Sequence, residues 1–231
     1  MTGSAAASPA AVHAAALRLL EGTPPGRLLD VPCGTGVLAR ALGARGFRVQ
    51  GLDLDPSAAR RLGVDASAAD MEVPLPVASG THDVVTCVEG IEHVEHQAEL
   101  VRELSRVLAP GGVLVLSTPN VLGYPSRESL ARRGYARFFK PLATGSPTPF
   151  EHAHLHPIDL VRLEHLLREA GFAIEAYDGD AGPAGSPRLL RRLRRRLAAR
   201  SLRKHNPRAE LLLEPAVFHA RVVALRARKR G

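Results

Sequence analysis

The chain has 231 residues and carries 31 Lys and Arg against 23 Asp and Glu, a formal net charge of +8. That length suffices for one domain with a sizeable core, no apolar run approaches the roughly 18 residues of a membrane span, and two cysteines, Cys33 and Cys87, make no disulfide framework. The charge is lopsided: residues 188–231 hold 15 Lys and Arg against 2 Asp and Glu, residues 1–187 hold 16 against 21, so a mildly acidic body precedes a basic tail.

Residues 1–8 read as disordered, residues 10–20 as a leading helix rich in Ala and Leu, and residues 1–20 show no signal-peptide pattern. Residues 27–42, RLLDVPCGTGVLARAL, then carry the strongest local signal. Leu28, Leu29 and Val31 are apolar on both faces, as a strand buried under helices requires, and Asp30 brings a carboxylate to the strand's carboxyl end. Gly34 and Gly36 leave no Cβ in the way of a ligand on the turn, and Leu38, Ala41 and Leu42 open a helix whose free N–H groups face it. Such a turn is shared by dinucleotide enzymes and methyltransferases, and it also occurs with no ligand.

Residues 47–54, FRVQGLDL, predict a second strand ending at Asp53 and Asp55. An acid there, about 20 residues past the glycine turn, is placed to accept ribose hydroxyls, whereas Asp55 and Ser57 suit the capping of a helix over 56–62. Residues 64–69 predict a short third strand followed by Asp70, which can accept from an exocyclic adenine amine, and Met71, which can lie against a purine face. A fourth strand over 82–88 runs into Glu89, Glu92 and His93. Residues 97–108 predict a helix with Val101, Leu104 and Leu108 on one face, stopped by Pro110-Gly111-Gly112, and 113–117 a fifth strand.

LLDVPCGTG, GLDLD, Asp70-Met71, DVVTCVEGIEHV, LSRVLAPGGVLVLSTPN and REAGF, in this order and spacing, resemble the class I S-adenosylmethionine-dependent methyltransferases. The subgroup they are most similar to includes the ubiquinone-biosynthesis O-methyltransferases and enzymes acting on glycans and natural products. The resemblance spans residues 27 to about 177, and Pro32 departs from it, standing where the family usually has the first glycine of its loop. It implies an α/β, Rossmann-like, doubly wound sheet of seven strands in the order 3-2-1-4-5-7-6, the last strand antiparallel. It also implies S-adenosylmethionine as cofactor, held by Asp30, Gly34, Gly36, Asp53, Leu54, Asp70, Met71 and Glu89. Acids at four strand ends suit a ligand bearing an ammonium and a sulfonium better than one bearing a pyrophosphate.

Beyond the fifth strand, residues 120–156 form a lid candidate holding Tyr124, Tyr135, Phe138, Phe139 and Phe150, five of nine aromatic residues, which fits a substrate pocket or a small satellite core. Leu160, Leu163, Leu167 and Ala170 mark a helix opened by Pro157, and residues 172–177 a sixth strand. Residues 217–225 would, by the resemblance, be the seventh. Between these strands, residues 186–208 predict a basic amphipathic helix, in which Leu189, Leu193 and Leu197 recur among arginines. Across residues 188–204 it could meet an anionic membrane surface, an acidic partner or RNA phosphates, or simply pack its leucines on the sheet.

The whole chain is therefore expected to be a single methyltransferase domain that methylates an oxygen of a small molecule or glycan. The protein is expected in the cytoplasm, free or peripheral at a membrane. His93, with Glu92, is the candidate general base. Two alternatives stand beside this. E-x-x-E-H followed by lid histidines is similar to the metal site of the small-RNA terminal 2′-O-methyltransferases, which would make Glu89, Glu92, His93 and His152 or His154 ligands of Mg²⁺ or Mn²⁺. Or the chain is a non-catalytic cofactor-binding module that docks a partner through its tail.

Overall fold

The computed structural model describes residues 9–141, 154, 156–180 and 188–231. Seven strands form one sheet in the order β3-β2-β1-β4-β5-β7-β6. They are β1 (Arg27–Asp30), β2 (Arg48–Asp53), β3 (Ala66–Ala68), β4 (His82–Val88), β5 (Leu108–Pro119), β6 (Phe172–Gly179) and β7 (Val222–Lys229). The β1, β2, β3, β4 and β5 strands pair in parallel, and β7 runs antiparallel between β5 and β6, as the resemblance implies.

Alternation along the strands feeds two cores, because successive side chains leave opposite faces of a sheet. Leu29, Val85, Leu114 and Leu116 join Leu100, Val101 and Leu104 of α4 (Gln97–Val107) and Leu163 and Leu167 of α6 (Leu160–Glu169). Leu28, Val84, Val113 and Val115 join Val12 and Ala15 of α1 (Pro9–Leu19) and Leu38 and Leu42 of α2 (Val37–Gly43). Each such fully buried leucine contributes roughly 1.5–3 kcal/mol, which fixes the helices on both faces and leaves the strand ends open for a site. The α6 helix starts at Leu160 and is capped by Asp159 rather than opened by Pro157: the Asp159 carboxylate accepts from the N–H groups of Val161 and Arg162.

The last strand needs a correction. Residues 217–225 do not form one strand, because Val217 belongs to the short helix α9 (Pro215–Phe218) and β7 begins only at Val222. Pro215 supplies a helical first position, and Val217 and Phe218 bury on that turn, so a single apolar run serves two elements. A short helix α8 (Ala209–Leu213) precedes it, and the basic helix α7 covers Arg188–His205. Part of the expected lid is a regular helix, α5 (Tyr124–Arg133), while α3 (Ser57–Arg61) follows β2. Tyr124 stacks on Phe218 at 5.9 Å and joins Leu213 and Leu202 in a satellite core, so this part of the aromatic enrichment is packing. Residues 1–8, His152 and Phe150 lie outside the described residues.

Candidate active site

The carboxyl ends of β1, β2 and β4 bring Asp30, Asp53 and Glu89 to one edge of the sheet; Asp30 is in register with Gly51 and Thr86. Gly34 and Gly36 both take positive φ, 51° and 80°, which an L side chain resists. Their roles differ from the expected common one. A Cβ on Gly34 would meet nothing within 4 Å, leaving space for a ligand, whereas one on Gly36 would meet Ala59 and Val64 at 3.0 Å. Gly36 thus serves the close approach of α3. The Pro32 ring packs against Gly90, where a Cβ would come within 2.4 Å of Pro32 Cδ, and the Val31–Pro32 peptide is cis.

Asp53 closes the turn: its carboxylate accepts the Gly34 N–H at 2.7 Å and the Asp55 N–H at 3.1 Å. Beside it Leu54 is 66% exposed, a large apolar surface left uncovered by the chain. Asp70 Oδ1 accepts the Glu72 N–H at 2.9 Å, while Met71 is half-buried and rests on the main core. Asp30 is buried; Thr86 Oγ1 donates to its Oδ1 at 2.5 Å, and its Oδ2 has no partner among the described residues. Burial pushes the Asp30 carboxyl up to about 7, with the Thr86 bond opposing and the Asp53 charge adding to the shift.

At the mouth of β4 the backbone of Glu89 takes φ 53°, a strained setting for a residue with a Cβ. Ser117 receives the Glu89 N–H at 3.0 Å and donates to Glu89 Oε1 at 3.2 Å. Enclosure pushes the Glu89 carboxyl up to about 7, the Ser117 bond pulls against it, and the Asp180 charge adds to the rise. The next turn, a single 3₁₀ turn over Ile91–His93, buries Glu92 completely. Neither Glu92 oxygen has a hydrogen-bond partner among the described residues. Burial and then the Glu89 charge hold the Glu92 carboxyl well above its usual range, opposed in part by its own backbone N–H and by the Thr118 hydroxyl.

Glu92, His93 and His154 each offer a ligand atom, and these atoms lie within 4.8 Å of one another. The two imidazoles meet edge to face at 4.9 Å, and Phe139 and Phe138 stand 5.8 and 6.2 Å from His154. Burial and the His93 charge push His154 down to about 4, so it is a neutral acceptor at physiological pH. Glu89 is absent from this group, its carboxyl being turned to Ser117 instead. Glu92, fully buried, enters as a partner of the histidines rather than as a surface that an acceptor would meet. Sequence reasoning missed Thr86 and Ser117, although a hydroxyl inside an otherwise apolar strand was the available signal.

The strand order, the antiparallel β7 and the acid-ringed glycine turn define the architecture of the class I S-adenosylmethionine-dependent methyltransferases. A family model described as a methyltransferase domain matches residues 7–177. The chain is 36% identical over 174 residues to a ubiquinone biosynthesis O-methyltransferase of Thiobacillus denitrificans, covering 66% of this chain and 67% of the relative. It is 35% identical over 138 residues to that of Psychrobacter arcticus, covering 50% and 54%, so the chain spans about half the length of that curated relative. A methyltransferase structure from Mesorhizobium loti superposes with a TM-score of 0.59 at 20% identity, covering 94% of this chain and 98% of that one. A possible histamine N-methyltransferase from Thermotoga maritima gives 0.63 at 18%, covering 96% and 89%. The chain belongs to the methyltransferase-domain family. Among the described residues no helix is long and apolar enough to cross a membrane.

Proposed function

We propose that the chain transfers a methyl group from S-adenosylmethionine to an oxygen of a small-molecule or glycan acceptor. The observation that carries this reading is the convergence of His93, His154 and Glu92 at the mouth of β4, beside the acid-ringed turn. The residues present fit the cofactor: open space lies over Gly34, an unpartnered Asp30 oxygen awaits a donor, and the Asp53 carboxylate stands at the end of β2. When bound, the cofactor supplies a methyl already activated on a positive sulfur. Asp53 would take the ribose hydroxyls, Leu54 and Met71 would bound the adenine with Asp70, and Asp30 and Glu89 would offset the ammonium. Phe138 and Phe139 flank His154. His93 would take the acceptor's hydroxyl proton on its imidazole, with neutral His154 packed edge to face against that ring.

The test is turnover by the purified chain with S-adenosylmethionine and a panel of phenolic, catecholic and sugar acceptors, read as methyl gain by mass spectrometry. Oxygen-linked methyl on any acceptor, lost in His93→Ala, supports the reading. Calorimetric failure to bind the cofactor or its demethylated product sinks it, and binding without turnover would favour a non-catalytic module.

One observation favours a second reading. A buried carboxyl with two unpartnered oxygens against two imidazoles is also a donor set for a divalent ion, which would lower the pKa of a diol such as that of an RNA 3′ end. Glu92, His93 and His154 would hold the ion; Glu89 is not in the group, and His152 lies outside the described residues. Calorimetric binding of Mn²⁺, abolished in Glu92→Gln, supports this reading, and activity indifferent to chelation overturns it.

A further inference from the structure

Helix α7 is fastened to the body by one face only. Ala198, Ala199 and Leu202 pack on the satellite core of Ala209, Leu213 and Phe218, Arg194 lies over the Tyr124 ring at 5.0 Å, and Arg195 donates to the Leu213 carbonyl at 3.0 Å. The pair of Arg203 with Glu210 at 2.7 Å pins the last turn. With the helix held on that side, the leucines that recur every fourth residue are turned outward. Leu189 is 79% exposed, Leu193 50% and Leu197 71%, with Leu190 exposed beside them. The stripe therefore does not pack on the sheet, one of the outcomes the spacing left open.

The same helix carries charge of one sign. Arg188–His205 holds eight arginines, one lysine and no acid, and Arg192, Arg196, Arg200 and Lys204, all exposed, border the leucines. A cation in such a place runs its alkyl stem along the apolar stripe and sets its charge at the level of a phosphate. Leucines bordered by cations in this way make a helix that lies in the plane of an anionic bilayer, its leucines at the acyl boundary and its guanidinium groups among the headgroups. Other occupants fit this face less well. A second copy would set it against its own like charge. RNA would find no aromatic ring on the helix to stack on and would leave the leucines in water. A partner's groove could not enclose a helix whose inner face is already taken.

The place of α7 in the fold matters too. β6 runs antiparallel to β7 and β7 antiparallel to β5, so the carboxyl end of β6 stands at the same sheet edge as Asp30, Asp53 and Glu89. Arg192 and Arg195 line one cavity with Asp178 and Asp180 at that end, which puts α7 on the site edge. We propose that the outer face of α7 is a docking surface for an anionic phospholipid bilayer, on the side of the molecule that carries the site. The inference goes beyond methyl transfer and needs neither cofactor nor acceptor.

The experiment is flotation of the full chain, without cofactor, with vesicles of phosphatidylcholine alone and of phosphatidylglycerol mixed with phosphatidylcholine. Capture by the mixed vesicles only, falling steeply with added salt, is the expected result. Leu189→Ser/Leu193→Ser/Leu197→Ser keeps the charge and should lower the partition coefficient at least about tenfold; Arg196→Gln/Arg200→Gln/Lys204→Gln keeps the leucines and should do the same. Arg61→Gln/Arg102→Gln/Arg162→Gln removes as much charge from exposed positions elsewhere and should change it less than about twofold. No capture by the mixed vesicles, capture indifferent to the leucine substitutions, or equal loss in the control variant overturns the proposal. Retention of single-stranded RNA in place of vesicles, or a dimer in sedimentation that the leucine variant dissociates in place of capture, overturns it in favour of another occupant. The chain has no tryptophan, so Leu197→Trp gives a second reading that does not depend on the triple variants folding. Its emission should shift to the blue with the mixed vesicles and not with phosphatidylcholine alone, and an unshifted spectrum overturns the proposal as well.

Discussion

The buried acids of this molecule fall into two regions that treat charge in opposite ways. At the β6–β7 edge and on the neighbouring α6 they are matched, Asp180 by Arg221 and two backbone N–H groups and Glu164 by Arg168, Arg208 and Tyr177, and the exposed Glu175 is likewise paired with Arg226 at 2.6 Å. At the mouths of β1 and β4, Asp30 has one oxygen without a partner, Glu92 has two, and Glu89 has only a serine hydroxyl for its side chain among the contacts described. Pairing holds a fold together, whereas an unpaired buried carboxyl is a standing cost, kept where something else is meant to bind. The contrast separates structural acids from site acids without appeal to any relative.

The contrast can be broken most forcefully at Asp180. Asp180→Ala should cost about 3–5 kcal/mol, since it strands the mostly buried Arg221 guanidinium and two backbone N–H groups; urea unfolding followed by circular dichroism checks this. Asp30→Asn should act in the other direction, and only above mid-acid pH. The unfolded carboxyl loses its proton near 3.8 and the folded one holds it up to about 7, so the folded state binds more protons in between and stability falls as pH rises through that window. Relative to the parent chain, Asp30→Asn should be neutral near pH 4 and more stable by roughly 2–4 kcal/mol at pH 8, read from unfolding curves at the two pH values. Asp53→Ala should weaken binding of the demethylated cofactor product by about 1–3 kcal/mol, the cost of unpaired hydroxyls and a slackened Gly34 turn; unchanged affinity in calorimetry would remove Asp53 from the site. Leu197→Ser should move stability by less than about 0.5 kcal/mol, because the side chain is already 71% exposed, and a larger loss of thermal midpoint would mean that the stripe packs after all.

Much of this was legible in the residues because it is local. The glycine turn, the acid at the end of β2 and the amphipathic α4 each lie within a few turns of chain, and the structure finds them where spacing puts them. Val217 was not legible: a short apolar run looks the same in a strand as on a helical turn, and only Pro215 hinted at the break. Nor could spacing divide the aromatic residues of the lid, of which Tyr124 belongs to a satellite core while Phe138 and Phe139 flank His154. The meeting of His154 with Glu92 and His93 depends on how a long connection returns to the sheet, which no periodicity encodes.

The packing of Pro32 against Gly90 reaches beyond this one chain. The proline ring occupies the volume that a side chain at position 90 would need, so the two positions behave as a lock and its blank. Through evolution they should trade: a chain with glycine at the position of Pro32 is free to carry an apolar side chain at that of Gly90, and one with proline there is not. Substituting Gly90 alone should therefore be resisted here, and substituting both positions together should restore what the single change removes.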